Sequence, residues 1–268
     1  MDLGVRDNGY LIVGGTAGMG FEAARALAAD GARVAVAGRD RERAERAAEA
    51  IRTESGAEVV PIVADVSRGA AEAERVVAEA TAAFGGLAGM AVTTGTSGLA
   101  HSTLEDATDA VWDEAVQDVL MSVVRTVKAV LPQFVERGSG SIVTTSAFSI
   151  HSPHANRMPY VALKGAIAVF TKNVAKTYGP SGVRANCVCP GAIETGGLAA
   201  LRTQIATARG IPEEGVLERV MVEEWHMDVA LGRPGRPDEV GDLFAFLLSS
   251  RAGYLTGALI NIDGGTDF

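Results

Sequence analysis

The chain has 268 residues, 47% of them hydrophobic, with 24 Lys+Arg against 33 Asp+Glu and a formal charge of −9. The acidic balance argues against nucleic acid as a partner, and no apolar run approaches the ~18–20 residues of a membrane span. The opening MDLGVRDNGY lacks the charged-then-apolar pattern of a signal peptide, so a cytoplasmic chain with a sizeable core is expected.

The first apolar run, YLIVG (10–14), reads as a strand and leads into VGGTAGMG (13–20), four glycines in eight residues. Glycine costs backbone entropy, so this cluster implies positive φ or bare backbone that something must approach. The helical pattern FEAARALAAD (21–30) follows. Further strands are RVAVAG (33–38), EVVPIVA (58–64), GMAVTT (89–94), GSIVTTS (140–146), RANCVC (184–189) and ALINID (258–263). Between them, 41–55, 69–85, 109–138, 159–179 and 237–250 carry apolar residues at helical spacing. The alternation predicts one α/β domain over 1–268: a doubly wound, parallel, seven-stranded sheet with helices on both faces and right-handed crossovers. The stretch 194–236 departs from it. It is helical and too long for a simple connection, which suggests a substrate lid.

Cys187 and Cys189 alternate on a buried strand and share one face. A disulfide between them has poor geometry, and no histidines cluster for zinc, so they read as core thiols and no metal is expected.

In such a sheet the first strand-to-helix turn is where a dinucleotide pyrophosphate binds, facing the free N–H groups and positive dipole end of the helix. Gly14, Gly18 and Gly20 give G-x-x-x-G-x-G there. Farther along stand ADV (64–66), YVALK (160–164), RANCVCPGAIET (184–195) and, toward the C-terminus, LGRPGRPDEV, AFLLSS and YLTGALINIDGG. In this order the motifs resemble the short-chain dehydrogenase/reductase family, its 3-oxoacyl-carrier-protein reductases in particular, along almost the whole chain. The resemblance implies a Rossmann fold and a nicotinamide dinucleotide held by Gly14, Thr16, Gly18, Met19, Gly20, Arg39, Asp65, Val66, Thr94, Gly95, Tyr160, Lys164, Pro190, Gly191, Ile193 and Thr195. By the same likeness Asp65 meets the adenine, and Ile193 and Thr195 hold the nicotinamide carboxamide. At the end of the second strand, Gly38 fills the slot of the ribose-binding acid and Arg39 follows it. A guanidinium pairs with a 2′-phosphate, which favours NADP(H). NAD(H) remains the alternative, because Asp40 comes next and Ala17 stands where many NADP-dependent relatives carry a second basic residue.

Tyr160 and Lys164 lie four residues apart on a helix that Pro159 starts, so they share a face. A phenol titrates near ~10. A neighbouring ammonium favours the phenolate and lowers that value, fitting Tyr160 for acid–base work on a carbonyl or alcohol. By resemblance a serine is expected thirteen positions before the tyrosine, where Ala147 stands. Ser146 points to the opposite face. Ser149 has the parity of Ala147 and offers a hydroxyl if the chain stays extended; the other reading is a loop serine capping local backbone. His151 and His154 occupy the same loop. The family's helix asparagine falls on Val119, and Thr93 and Thr94 replace its strand-four asparagines.

Two readings follow. In one, the chain moves a hydride between NADP(H) and a ketone or secondary alcohol, with an atypical set of catalytic side chains. In the other, it binds the cofactor but serves a non-redox, sensor or partner role. Leu198, Leu201, Ile205, Val216, Leu217, Val220, Met221, Trp225 and Met227 in 194–236 imply a mainly apolar small-molecule substrate, unless they pack the lid against the body. By resemblance a homotetramer is expected, with a dimer next, through 106–137, 160–178 and ALINIDGGTDF.

Overall fold

A computed structural model of the chain describes residues 2–95, 102–153, 156–225 and 227–266. Seven strands form a single sheet: β1 (Gly9–Val13), β2 (Arg33–Gly38), β3 (Val59–Val63), β4 (Gly89–Val92), β5 (Gly140–Thr145), β6 (Val183–Pro190) and β7 (Leu259–Ile262). Their order is β3-β2-β1-β4-β5-β6-β7, and every pairing is parallel. All five residues of β1 are buried, as a central strand covered on both faces requires. The edge strand β7 alternates exposed and half-buried residues.

The helices are α1 (Gly18–Ala29), α2 (Arg41–Ser55), α3 (Ala70–Phe84), α4 (Asp109–Ala115), α5 (Ser122–Arg137), α6 (Met158–Tyr178), α7 (Gly196–Arg209), α8 (Val216–Glu223) and α9 (Pro237–Leu248). Val76, Val127, Phe134, Leu163 and Ile167 bring α3, α5 and α6 onto one face of the sheet. Leu27, Ile51, Phe244 and Leu248 bring α1, α2 and α9 onto the other. Local signals match their ends. Asp40 caps α2 by accepting from the Arg43 N–H at 2.8 Å, and Gly56 ends it in the left-handed region at φ 69°. Among the described residues, no helix is long and apolar enough to cross a membrane.

The helix expected over 109–138 runs through 109–137 with a π-turn inside it. Val116–Met121 forms a turn of π-helix between α4 and α5. Such turns widen a helix locally and recur at functional sites. This one carries Val119, fully buried. Between β6 and α9 the chain forms α7 and α8. Their shared core is Ala206, Val216 and Val220, with Ile205, Ile211 and Trp225 packed against it.

Candidate active site

The predicted cofactor positions gather at the carboxyl ends of the strands. Gly14 has φ 88°, and a Cβ there would strike the Thr93 side chain. A Cβ on Gly20 would strike Thr93 and the Gly14 carbonyl, so the loop after β1 lies directly on the end of β4. A Cβ on Gly18 would come within 3.1 Å of Thr195 Cγ2, which joins this loop to the segment after β6. A Cβ on Gly38 would sit 2.7 Å from Thr16 Cγ2, which joins it to the end of β2. Thr16 thus fills the space that an acidic side chain at 38 would need. Met19 is half-buried, Val66 and Pro190 are buried, and Gly191 lies against Asp263. Ile193 is buried and bridges Gly235. The first turn of α1 has no side-chain cap and no acidic residue. Its N–H groups and dipole are left for an anion.

Arg39 is exposed and, like Arg43, forms no ion pair among the described residues, whereas Arg41 faces Glu45 at 3.6 Å. The Asp40 carboxylate is taken up by its cap on α2. The Asp65 carboxylate also has partners: it accepts from the Ser67 hydroxyl at 2.6 Å and the Ser67 N–H at 3.2 Å, with Arg68 Nε 3.4 Å away.

Lys164 is 2% exposed. Its ammonium donates to the Thr145 carbonyl at 3.0 Å and the Thr94 carbonyl at 3.4 Å, leaving one donor unused. A Cβ on Gly95 would lie 3.2 Å from this Nζ. Cys187 and Cys189 are fully buried free thiols on β6, close enough to bear electrostatically on the same ammonium. Burial outweighs them and Asp118 and pushes Lys164 down to about 8. Lys164 Nζ stands 5.5 Å from the centre of the Tyr160 ring.

The pair does not behave as the spacing implied. Burial raises the Tyr160 phenol above its ordinary value, and the charge that opposes this is Arg157, not Lys164. Arg157 is half-buried at the N-cap of α6, three residues before the tyrosine. No motif in the sequence singles Arg157 out, although its i, i+3 spacing from Tyr160 is visible there. Nor does one single out Ser122. Its hydroxyl donates to the Asp118 carbonyl at 2.6 Å and lies 3.2 Å from the Thr94 hydroxyl, joining the π-turn to the strand end that holds Lys164.

Ala147 is buried in extended backbone, φ −156° and ψ 151°. Ser146 turns away as its parity requires and donates to the Lys164 carbonyl at 2.8 Å. The chain does not stay extended to Ser149, which lies in a single 3₁₀ turn, Phe148–Ile150; its hydroxyl is buried and has no hydrogen-bond partner among the described residues. It is therefore not the local cap that was its alternative. His151 is exposed, and His154 lies outside the described residues, as does 96–101 of the strand-four loop. The apolar residues of 194–236 are mostly spent on packing. Val216, Leu217, Val220 and Met221 are 2% exposed or less, and Met221, Met227 and Val229 pack with Phe148, Ala192 and Trp225. Arg202 pairs with both Glu194 and Glu213, the latter at 3.2 Å, and so ties α7 to the loop between Ile193 and Thr195.

The fold and sequence have counterparts among known proteins. A family model described as enoyl-(acyl carrier protein) reductase matches residues 14–267. "Dehydrogenase/reductase SDR family member 4" of Bos taurus is 32% identical over 256 residues, 96% of this chain and 86% of that protein. 2-(S)-hydroxypropyl-CoM dehydrogenase 3 of Xanthobacter autotrophicus is 32% identical over 254 residues, 95% of this chain and 94% of that one. Among solved structures, L-sorbose reductase from Gluconobacter frateurii, complexed with NADPH and L-sorbose, superposes with a TM-score of 0.90 at 26% identity, covering 99% of this chain and 98% of that chain. Levodione reductase gives 0.87 at 31% identity, covering 97% of each. The chain belongs to the short-chain dehydrogenase/reductase family.

Proposed function

We propose that this chain is an NADP(H)-dependent reductase of a ketone, or dehydrogenase of the corresponding secondary alcohol, with Tyr160 as acid and base. The observation that carries the reading is the buried Lys164 beside Tyr160, held by carbonyls from two strand ends at the mouth of the glycine loop. The uncapped start of α1 and the bare backbone of Gly14, Gly18 and Gly20 suit a pyrophosphate. Thr16 against Gly38, with Arg39 and Arg43 unpaired, suits a ribose 2′-phosphate better than a free hydroxyl. Ile193 and Thr195 would hold the carboxamide, and Asp65 and Val66 would flank the adenine. NADPH supplies the hydride when bound.

The chain's own part is the proton. Tyr160 is protonated at neutral pH, since burial holds its phenol above the ordinary value, and it donates to the carbonyl oxygen as charge develops there. Lys164, pushed down to about 8, carries a proton that it can lose and regain near neutrality. The buried, unpartnered Ser149 hydroxyl is the candidate second donor in place of Ala147. A missing oxyanion donor costs roughly 10²–10³ in rate, so this role matters.

The second reading, a cofactor-binding homologue without redox activity, draws on Ala147 and Val119, where two polar catalytic side chains are replaced. Exposed Val135 on α5, Val169 on α6 and Leu259 on β7 lie on elements that would join protomers, which supports a homotetramer, with a dimer next.

Titration with NADPH and NADH followed by fluorescence, then cofactor oxidation against a ketone panel with Tyr160→Phe as control, tests the proposal. Tighter NADPH binding and turnover that Tyr160→Phe abolishes are expected. Binding without turnover across the panel would favour the non-redox reading.

A further inference from the structure

Among the described residues the Arg157 guanidinium has no partner. Each of the other half-buried arginines among the described residues bonds an oxygen: Arg25, Arg52, Arg75, Arg202 and Arg233 a carboxylate, and Arg33, Arg125 and Arg184 a backbone carbonyl. Arg157 forms no side-chain hydrogen bond and no ion pair among the described residues; outside them the acids are Asp267 and the C-terminal carboxylate, and the stretches 96–101 and 154–155 contain none. A guanidinium this far out of water ordinarily finds a carboxylate or carbonyl.

Its position makes the vacancy sharper. As the N-cap of α6 it meets the positive end of the helix dipole, and the first turn of α6 holds no acid to offset it. The site is not an accident of a loose loop. The backbone bridges Ser102, whose carbonyl accepts from the Met158 N–H at 3.3 Å, and the Val161 N–H returns to the Arg157 carbonyl at 3.0 Å. The side chain lies one turn before Tyr160, near enough for its charge to bear on the phenol. The charge of Asp118 bears on Lys164. The apolar side chains that argued for a purely apolar pocket are mostly used in packing.

We infer that Arg157 is a specificity residue that anchors a carboxylate on the substrate, so that the ketone reduced is an oxo acid with its carboxylate roughly one helical turn, ~5 Å, from the reacting carbonyl. The inference rests on the proposed reductase activity and names its substrate class. A carboxylate matches the planar fork of the guanidinium, and binding it would offset the unfavourable dipole.

The test compares 4-oxo, 5-oxo and 7-oxo methyl-ketone carboxylates with their neutral methyl esters, using wild type, Arg157→Gln and Arg157→Lys. The acids should be preferred over the esters about 10-fold or more. Arg157→Gln should cut kcat/KM for the acids at least about 10-fold more than for the esters, whose smaller loss reports the charge that Arg157 exerts on the phenol, and Arg157→Lys should restore part of the acids' extra loss. Equal loss on acids and esters would mean that Arg157 acts through the phenol or the fold, and would overturn the inference; so would a preference for esters in the wild type. A calorimetric titration with hexanoate, which cannot react, decides the matter if the wild type reduces neither series and the reductase reading falls. Hexanoate binding that Arg157→Gln removes upholds the anion site, and no binding to the wild type refutes it.

Discussion

Replacing Lys164 by methionine should abolish turnover and make the nucleotide-free protein more stable. Folding drops the lysine from 10.5 to about 8. At about 1.4 kcal/mol per pH unit, keeping it charged in the folded chain costs roughly 3 kcal/mol. Methionine has a similar stem and no charge, but it leaves the Thr145 and Thr94 carbonyls without their donor, at about 1 kcal/mol each, the low end for a buried acceptor. The net gain at pH 7 is about 1 kcal/mol, roughly 2 °C in Tm for a chain of this size. The sign of the pH dependence is fixed. Below pH 8 the folded and unfolded chains both hold the proton, and the penalty is at its full value. Between about 8 and 10.5 the unfolded chain keeps a proton that the folded chain has released, so the wild type gains on the variant as pH rises. Urea unfolding of both proteins from pH 7 to 10.5, read as a difference so that groups common to both cancel, measures this. A variant less stable than wild type at pH 7, or a gap that stays constant with pH, would refute the reasoning.

Gly38→Asp should raise KM for NADPH about 10-fold or more and spare NADH, because the carboxylate repels a 2′-phosphate. Thr16 must rotate to admit it, so Thr16→Ala in the same chain should recover lost stability, and steady-state kinetics with both cofactors plus a melting curve checks both effects. Ser149→Ala should lower kcat about 10-fold if the hydroxyl serves the carbonyl oxygen, with Tm unchanged or slightly higher because a buried unpartnered hydroxyl is removed. Ala147→Ser should raise kcat by about 10- to 100-fold by restoring a donor in extended backbone that already accommodates a side chain there; no gain would place the proton chemistry elsewhere.

The strands were legible because parallel central strands are short apolar runs ended by turn residues. RVAVAG at 33–38 and the helix at 41–55 match β2 and α2 residue for residue. The π-turn at Val116–Met121 was not legible, since apolar spacing continues through it and the extra residue shows only in the backbone. Tyr160 and Lys164 were found by their i, i+4 spacing. Their electrostatics were not, because burial reverses what proximity alone implies, and burial is set by strands far away in sequence. The parity argument separated Ser146 from Ala147 correctly, with Ser146 turned to the Lys164 carbonyl. Counting apolar residues in 194–236 could not distinguish a pocket wall from a packed hairpin of helices, and the contacts of Val216, Val220 and Met221 favour the latter.

The strand order also has a consequence for how long the molecule lasts. Tyr10 pairs with Gly89, and Gly18 meets Thr195 only after β4, β5 and β6 have joined the sheet. No local fragment assembles the nucleotide cradle, so a dinucleotide binds the finished chain and not its parts. At a hundred times its Kd, such a ligand stabilises the whole fold by about 2.7 kcal/mol. If the proposed dinucleotide binding holds and proteolysis follows the opened population, a nucleotide-free chain would be exposed to cleavage about a hundred times as often as one saturated to that degree, and cofactor supply would set abundance as well as rate.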